Sequence, residues 1–386
     1  MVGRDTSNVT ILGTGAMAMR FGAALARAGH RVTLVGTWLE SLAMVDAHGI
    51  AVDAGSTVWT VPAAAALLGD VLPPAPLVLV LVKAHQTHSV APHAARLVSE
   101  DGLILTLQNG LGNRESLIEA AGEERVAAGV TSEGATVLGP GFVRIAGAGM
   151  TTLGYAGPAA ERVPRVARWL REAGFDVDTT ADIDALLWRK LAVNCAINPL
   201  TALHSVPNGA LLEDRGLAEQ MAAAAREVGV VARRAGVQLG ADPVALAREV
   251  ALRTADNRSS MLQDVERGGL TEIDAICGAV VRAGRHLGVE TPVNLRLWRR
   301  VSALGGAVVD GTGTTLRQGD FARELGLGTT DGRAAGRAAT DDPGNAANAR
   351  EHDRATNEGG SASSAPPSKD TSEEPSQQDT PEGRTA

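Results

Sequence analysis

The chain has 386 residues, of which 44% are hydrophobic, and a formal net charge of −8. This length allows two domains, each with its own core, and the acidic balance disfavours binding to the phosphate backbone of nucleic acids. Two cysteines are too few for a disulfide framework or for a repeated Cys-x-x-Cys metal site, so we predict no metal centre.

The sequence also argues against a membrane protein. It holds no stretch of about 18 uncharged apolar residues that would span a bilayer. Residues 1–8 lead directly into an apolar strand, without the basic and apolar regions of a signal peptide. We therefore expect a cytoplasmic protein with neither membrane nor nucleic-acid partners.

The last part of the chain differs in composition from the rest. After Leu327 there is no further Leu, Ile, Val, Met, Phe, Trp or Tyr, and charges of both signs are mixed with Gly, Ala, Ser, Thr and Pro. Such a segment cannot bury enough apolar surface to offset the entropy of ordering. We predict a disordered tail over residues 328–386.

Strand-like and helix-like patterns alternate in the first part of the chain. Predicted strands cover residues 9–12, 30–35, 77–82 and 103–107. The unbroken aliphatic run 77–82 is typical of a central parallel strand that is covered on both faces. The alternation predicts a doubly wound α/β domain over residues 1–180. Longer apolar-periodic segments follow, and they predict an all-helical domain over residues 181–310.

A glycine-rich segment follows the first predicted strand. Its sequence, Gly13-Thr14-Gly15-Ala16-Met17-Ala18, fits the pattern G-x-G-x-x-G/A at the start of a predicted helix. The first glycine allows a tight turn, the second lets the backbone approach a pyrophosphate, and the small last residue lets helix and strand pack closely. The motif favours a dinucleotide site at the helix N-terminus over a purely structural turn.

The segment after the second predicted strand does not decide between the two nicotinamide cofactors. An acidic residue there would bind ribose hydroxyls, and an arginine would bind a 2′-phosphate. This chain has Gly36-Thr37-Trp38 instead, and Glu40 falls in the next predicted helix. Trp38 either stacks on an adenine or packs against its own loop.

Polar residues recur at helical spacing in the second part of the chain. Lys190, Asn194 and Asn198 lie four residues apart among apolar neighbours, which places them on one helix face. Because a buried ammonium and buried amides need partners, the face either binds a polar ligand or joins a hydrogen-bond network between helices. Further on, Thr271-Glu272 resembles a helix start, so Glu272 is either a cap or a catalytic residue.

Several segments with these motifs are similar to one family. Val82-Lys83-Ala84, Gln108-Asn109-Gly110, Pro207-Asn208-Gly209 and Ser259-Ser260-Met261-Leu262-Gln263-Asp264 join the segments described above. From residue 8 to 304 the chain resembles the 2-dehydropantoate 2-reductase (ketopantoate reductase) family. The resemblance implies a Rossmann-type doubly wound domain followed by an all-α domain of the kind found at the C-terminus of 6-phosphogluconate dehydrogenase.

The resemblance also implies an activity and its residues. The family reduces 2-dehydropantoate to (R)-pantoate with NADPH, in pantothenate and coenzyme A biosynthesis. The implied catalytic residues are Lys190, as general acid, and Glu272. The implied substrate ligands are Asn194, Asn198, Asn208 and Ser260. The implied cofactor contacts are Gly13, Thr14, Gly15, Ala16, Met17, Ala18, Lys83, Asn109 and Ala135.

Some features depart from the family or are left open. The arginine that is frequent in the family after the second strand is missing, since this chain has Gly36-Thr37 there. We therefore predict that NADPH is preferred over NADH only weakly, with NADH as the alternative cofactor. Thr37 and a cation such as Arg31 or Lys83 would contribute to NADPH binding. Cys277 replaces a common asparagine. We predict that the two histidines after Lys83 are surface residues; they are His85 and His88. A homodimer is compatible with the sequence.

Two other functions stay open on the sequence alone. One is a family relative that reduces another 2-oxo acid or an imine. The other is a dinucleotide sensor without catalysis, which would not need the Lys190 face and Glu272. The partner is a small 2-oxo acid for the family's own reaction, and a 2-oxo acid or an imine for the family relative.

Overall fold

The structure is a computed structural model and describes residues 6–305, 307–309 and 315–317. The tail that we predict over residues 328–386 lies outside the described residues. In the described part of the chain, no helix is long and apolar enough to cross a membrane. Location in the cytoplasm and the homodimer stay predictions.

The first part of the chain contains strands and helices, as the patterns predict, but several of its strands follow one another without a helix between them. The strands are β1 (Asn8–Leu12), β2 (Arg31–Gly36), β3 (Ile50–Asp53), β4 (Val58–Val61), β5 (Ala64–Leu67), β6 (Ala75–Val80), β7 (Val98–Thr106), β8 (Val126–Thr131), β9 (Gly134–Gly139), β10 (Phe142–Gly147), β11 (Met150–Gly154) and β12 (Asp176–Thr180). The helices are α1 (Ala16–Arg27), α2 (Leu39–His48), α3 (Thr87–Leu97), α4 (Asn113–Ala121) and α5 (Val163–Glu172).

Helices dominate the rest of the described chain. They are α6 (Ile183–His204), α7 (Ala210–Glu213), α8 (Arg215–Arg234), α9 (Pro243–Arg253), α10 (Ser260–Glu266), α11 (Ala279–Leu287) and α12 (Pro292–Ser302). A π-helical turn, Asp274–Gly278, leads into α11. A short antiparallel pair, β13 (Ala307–Val309) and β14 (Thr315–Arg317), follows.

Eight of the described strands form the main sheet, in the order β12-β11-β8-β7-β6-β1-β2-β5. Neighbouring strands are parallel except for the antiparallel pair β8 and β11. The position of β6 in the middle of the sheet explains why its sequence is an unbroken aliphatic run. Leu77 and Leu79 pack in one buried cluster with α1, whereas Val78 and Val80 pack in another with α3. Both faces of β6 are therefore covered.

A second sheet was not predicted from the sequence. It has the strand order β4-β3-β10-β9, with β3 and β10 parallel to each other. The pairing joins Val52 to Val143, which are far apart in the chain. Because such pairing depends on long-range contacts, local periodicity could not reveal it.

The helical region begins directly after the last strand of the main sheet. Asp182 caps α6 by accepting a hydrogen bond from the Ala185 backbone at 3.1 Å. The long helix α6 packs against α8, α9, α10 and α12 around a core of its own. The predicted fold class, an α/β domain followed by an all-helical region, is confirmed. The domain limits 1–180 and 181–310 stay predictions.

Candidate active site

The glycine-rich segment forms an open turn between β1 and α1. Gly13 has φ +133°, and a Cβ at this position would lie 2.9 Å from the Leu81 carbonyl oxygen, so only glycine fits. A Cβ at Gly15 would meet no atom within 4 Å, and no side chain caps the N-terminus of α1. The N–H groups of the first turn, from Ala16 to Ala18, thus have no side-chain cap, and Gly15 beside them is exposed. This arrangement fits a pyrophosphate.

Thr14 supports the end of β2 from inside this turn. Its side chain is buried, and a Cβ at Gly36 would lie 2.8 Å from its Cγ2 atom. Gly36 is thus held without a side chain, while Thr37 beyond it is exposed. The half-buried Trp38 precedes α2, and Glu40 lies in the first turn of that helix.

Lys83 follows β6 at the carboxyl edge of the main sheet. Its ammonium donates to both carboxylate oxygens of Asp264 on α10, at 2.6 and 2.9 Å. Although burial lowers the pKa of Lys83, the carboxylates of Glu272 and Asp264 together raise it above its ordinary value. Lys83 is therefore a charged group that joins the sheet edge to the helical region.

Glu272 also joins the two regions, and its carboxylate does not cap its own turn. One oxygen accepts from the Ala84 backbone at 3.1 Å, and the other accepts from the Asn109 side chain at 3.0 Å. The turn starts through the Glu272 carbonyl, which accepts from Ala275 and Ile276. With 8% of its surface exposed, this residue needs donors for its charge, and the strand ends supply them. The capping hypothesis is wrong for the side chain.

Lys190 lies on α6, in the middle of the contact between sheet and helices. Its Nζ donates to the Thr131 carbonyl, at the end of β8, at 2.8 Å. Burial lowers the pKa of Lys190 to about 8, and the Glu272 carboxylate partly opposes this shift. Lys190 is therefore mostly an ammonium at pH 7, and it gives up its proton more readily than an ordinary lysine.

The two asparagines predicted beside Lys190 lie on the same helix. Asn194 is half-buried and Asn198 is 8% exposed. Neither side-chain amide hydrogen bonds to another described residue. These two amides thus do not form a hydrogen-bond network between helices, which was the alternative to ligand binding. They are free to bind a ligand.

Asn208 and Ser260 lie in different surroundings. Asn208 is buried, and its Nδ2 donates to Thr254 at 2.8 Å, while its buried Oδ1 has no partner among the described residues. Ser260 is the exposed first residue of α10. The preceding Ser259 is buried and caps α10, accepting from Leu262 at 3.1 Å. Ala135 is half-buried in β9.

Two sequence-based expectations are wrong: that His85 is a surface residue, and that Arg31 lies near the end of β2 where a 2′-phosphate would bind. His85 is half-buried rather than at the surface, because its short 3-10 helix faces Glu272, and its Nδ1 has no partner among the described residues. His88, on α3, is exposed as predicted. Arg31 begins β2 and donates a hydrogen bond to the Asn8 side chain at 2.7 Å. It therefore lies at the end of the strand that is remote from Gly36.

The two cysteines belong to the helical core. Cys195 on α6 and Cys277 in the π-helical turn are both fully buried. Burial raises the pKa of the Cys195 thiol, and the neighbouring Cys277 raises it further. The Cys195 thiol therefore stays protonated and unreactive near neutral pH. Cys277 packs in the buried cluster of the helical region.

Asp264 and Thr131 have contacts in this site that the sequence did not assign. Thr131 acts through its carbonyl, which no side-chain pattern reveals. A compositional signal was available for the lysines. The sequence contains three of them, and Lys83 and Lys190 both lie at this site.

The fold and site define a dinucleotide-binding α/β protein whose helical region brings a lysine, amides and a carboxylate to the edge of the sheet. Residues 9–158 match the family model described as ketopantoate reductase PanE/ApbA, and residues 182–305 match its C-terminal counterpart. The chain belongs to the ketopantoate reductase family.

Curated relatives and solved structures agree with this membership. The chain is 38% identical over 288 residues to a 2-dehydropantoate 2-reductase of Halobacterium salinarum, covering 74% of this chain and 94% of that protein. It is 33% identical to a solved ketopantoate reductase of Ralstonia eutropha, with a TM-score of 0.71, covering 77% and 98% of the two chains. A D-mandelate dehydrogenase solved with NADH and anilino(oxo)acetate is 27% identical, with a TM-score of 0.73 and coverages of 77% and 97%.

Proposed function

We propose that the protein reduces 2-dehydropantoate to (R)-pantoate with NADPH, a step in pantothenate and coenzyme A biosynthesis. The observation that carries this proposal is the position of Lys190. Its ammonium, with a pKa of about 8, shares a helix face with two unpaired asparagine amides. Membership in the ketopantoate reductase family supports the substrate class.

The residues of the α/β domain suit a nicotinamide dinucleotide. The turn from Gly13 to Ala18 would bind the pyrophosphate through backbone N–H groups. Lys83 and Asn109, which lie beyond the ends of β6 and β7, and Ala135 on β9 would line the cofactor. When bound, the reduced nicotinamide supplies a hydride. The remaining chemistry falls to the side chains of this chain.

Lys190 acts as the general acid. As C2 of a 2-oxo acid is reduced, its oxygen gains negative charge, and a neighbouring ammonium stabilises that charge and donates the proton. One proton leaves Nζ, the oxygen becomes a hydroxyl, and the neutral amine is reprotonated from water. The Glu272 carboxylate favours the ammonium form, which keeps the acid loaded near neutral pH. Asn194, Asn198, Asn208 and Ser260 would orient the substrate.

We propose that the preference for NADPH over NADH is weak. The segment from Thr37 to the end of α2 contains no Lys or Arg and includes Glu40 in its first turn. A 2′-phosphate would therefore find no arginine there, and the charge of the exposed Glu40 is screened by solvent, so it would repel the phosphate only weakly. We expect a preference below about 100-fold, which corresponds to ~2.7 kcal/mol. The NADH bound to the D-mandelate dehydrogenase relative supports NADH as an alternative cofactor.

A second candidate is the reduction of another 2-oxo acid. The similarity to a D-mandelate dehydrogenase solved with anilino(oxo)acetate favours it over reduction of an imine. Apolar pocket contacts discriminate between substrate side chains only modestly, so the same lysine and amides serve either reaction. A dinucleotide sensor without catalysis has no use for a lysine with a lowered pKa.

One panel of rate measurements tests these alternatives. We would measure kcat/KM for 2-dehydropantoate, phenylglyoxylate, pyruvate and 2-oxoisovalerate, each with NADPH and with NADH. We expect kcat/KM for 2-dehydropantoate to exceed kcat/KM for the simple analogues by at least about tenfold, a difference of ~1.4 kcal/mol. Equal or higher rates for phenylglyoxylate would favour the second candidate. Binding of cofactor without turnover of any 2-oxo acid would favour the sensor.

A further inference from the structure

The carbonyl that holds Lys190 belongs to a short connection between two strands. Thr131 ends β8, and β9 begins at Gly134 and includes Ala135, an expected cofactor contact. Glu133 lies between them, and its side chain is 2% exposed. The connection thus carries a contact to the proposed acid at one end and to the cofactor site at the other.

Both carboxylate oxygens of Glu133 are bound by other parts of the α/β domain. Arg20 on α1 donates to Oε2 through Nε at 3.0 Å and lies 2.9 Å from it through Nη2. The other oxygen accepts from the Gly149 backbone at 2.9 Å, before β11. The Arg20 guanidinium lies 4.4 Å from the centre of the Phe175 ring, which limits its movement.

The backbone of the connection is held as well. The Glu133 N–H donates to the Thr131 hydroxyl at 3.2 Å, and that hydroxyl shares a buried hydrogen bond of 2.8 Å with Thr151. These contacts hold both ends of the short segment from Thr131 to Glu133, and the Thr131 carbonyl of this segment accepts the hydrogen bond from Lys190. Arg20 itself lies on the helix that starts at the glycine-rich turn.

Stability alone does not account for this ion pair. Removing a carboxylate and a guanidinium from water costs free energy that their attraction only roughly returns, so a buried pair is weak evidence for a gain in stability. Its distinguishing effect here is geometric, because it ties α1 to the connection that contacts Lys190.

We propose that Arg20 and Glu133 are positioning residues for the Lys190 general acid. They hold the Thr131 carbonyl in place, and this carbonyl in turn holds the Lys190 ammonium. This inference rests on the proposed role of Lys190 in 2-oxo acid reduction. It predicts that the ion pair affects turnover through Lys190 rather than through substrate affinity.

A double-mutant cycle tests the inference. Glu133→Gln should lower kcat about 10- to 100-fold, as expected for a small displacement of a catalytic group, with KM for the 2-oxo acid changed by less than about threefold. In a Lys190→Ala background the same substitution should change kcat by less than about twofold, because its target is absent. Arg20→Met/Glu133→Gln leaves no unpaired buried charge and serves as the variant that folds if Glu133→Gln does not.

A second ion pair of the same domain supplies the control. Asp53 on β3 binds Arg144 on β10 at 2.7 Å, and the Asp53 side chain is 12% exposed. Asp53→Asn should leave kcat within about twofold of the wild type, at a thermal midpoint similar to that of the test variants.

The outcomes separate the two claims. Wild-type kcat in folded Arg20→Met/Glu133→Gln, or an equal loss in the presence and absence of Lys190, would overturn the positioning role alone. A Lys190→Ala enzyme with nearly full turnover would overturn the proposed general acid, and with it this inference.

Discussion

The carboxylate of Glu272 accepts a hydrogen bond from the side-chain amide of Asn109 at 3.0 Å. The two residues are 163 positions apart in the chain, and they connect the turn before α11 to the end of β7. The same carboxylate raises the pKa of Lys190 against the effect of burial. One side chain therefore couples the edge that would bind cofactor to the proposed general acid.

Replacing Glu272 should change the pH range of activity. In Glu272→Gln the charge that favours the ammonium is lost, so the pKa of Lys190 should fall below its present value of about 8. The alkaline limb of the kcat/KM profile then moves to lower pH, and kcat at pH 8 falls. Glu249→Gln is the matched control, because Glu249 is an exposed residue of α9 that pairs with Arg253. An unchanged limb in Glu272→Gln would contradict the coupling.

The wild-type enzyme should lose activity as the pH rises. A general acid works in its protonated form, which Lys190 holds fully below its pKa of about 8 and loses above it. We expect kcat/KM for reduction to be level below this pKa and to fall about tenfold per pH unit above it. Because the chain has three lysines, NMR of [13Cε]lysine-labelled protein can assign the titration by comparison with Lys190→Arg. A Lys190 pKa near 10.5 would disagree with the expected profile.

Loss of an amide from the Lys190 face should weaken substrate binding. Asn198→Ala removes a nearly buried side chain whose amide has no hydrogen-bonding partner among the described residues. We expect KM for the 2-oxo acid to rise about tenfold, consistent with loss of a hydrogen bond to a charged group. The dissociation constant of the cofactor should stay within about twofold. Asn257→Ala, at an exposed position, is the control. An equal loss of cofactor affinity would place Asn198 elsewhere in the site.

An arginine introduced after β2 should increase the preference for NADPH. Thr37 is exposed, whereas Gly36 has no room for a side chain beside Thr14, so Thr37→Arg is the tolerated substitution. Its guanidinium can pair with a 2′-phosphate through charge-assisted hydrogen bonds. We expect the ratio of kcat/KM for NADPH over NADH to rise about 10- to 100-fold.

A matched arginine elsewhere controls for charge. Thr57→Arg adds the same charge in the exposed turn between β3 and β4 and should leave the cofactor ratio unchanged. A similar rise in both variants would show a general charge effect instead of a local 2′-phosphate contact.

Local patterns revealed much of the fold. The glycine-rich turn and the aliphatic strands each follow from residues close together in sequence, and the structure has them near the predicted positions. The bounds differ, because β6 ends at Val80 rather than at residue 82 and β7 begins at Val98 rather than at residue 103. The second sheet escaped prediction because β3 and β10 pair across about ninety residues, a contact that no periodicity encodes.

The candidate site was only partly readable for the same reason. The helical spacing of Lys190, Asn194 and Asn198 placed them together correctly on α6. The partners of Lys83 and Glu272 come from other elements, so the Asp264 ion pair and the Asn109 hydrogen bond could not be read from either local segment. His85 looked like a surface residue because its sequence neighbourhood does not show the helical region packed above it.

The most direct test is the rate of 2-dehydropantoate reduction by NADPH in the wild type and in Lys190→Ala. The account predicts a loss of about 100- to 10,000-fold in kcat, the range expected for removal of a general acid. The thermal midpoint should stay within a few degrees, because the Lys190 side chain makes a single hydrogen bond among the described residues, to the Thr131 carbonyl. A folded Lys190→Ala enzyme with most of the wild-type kcat would contradict the account.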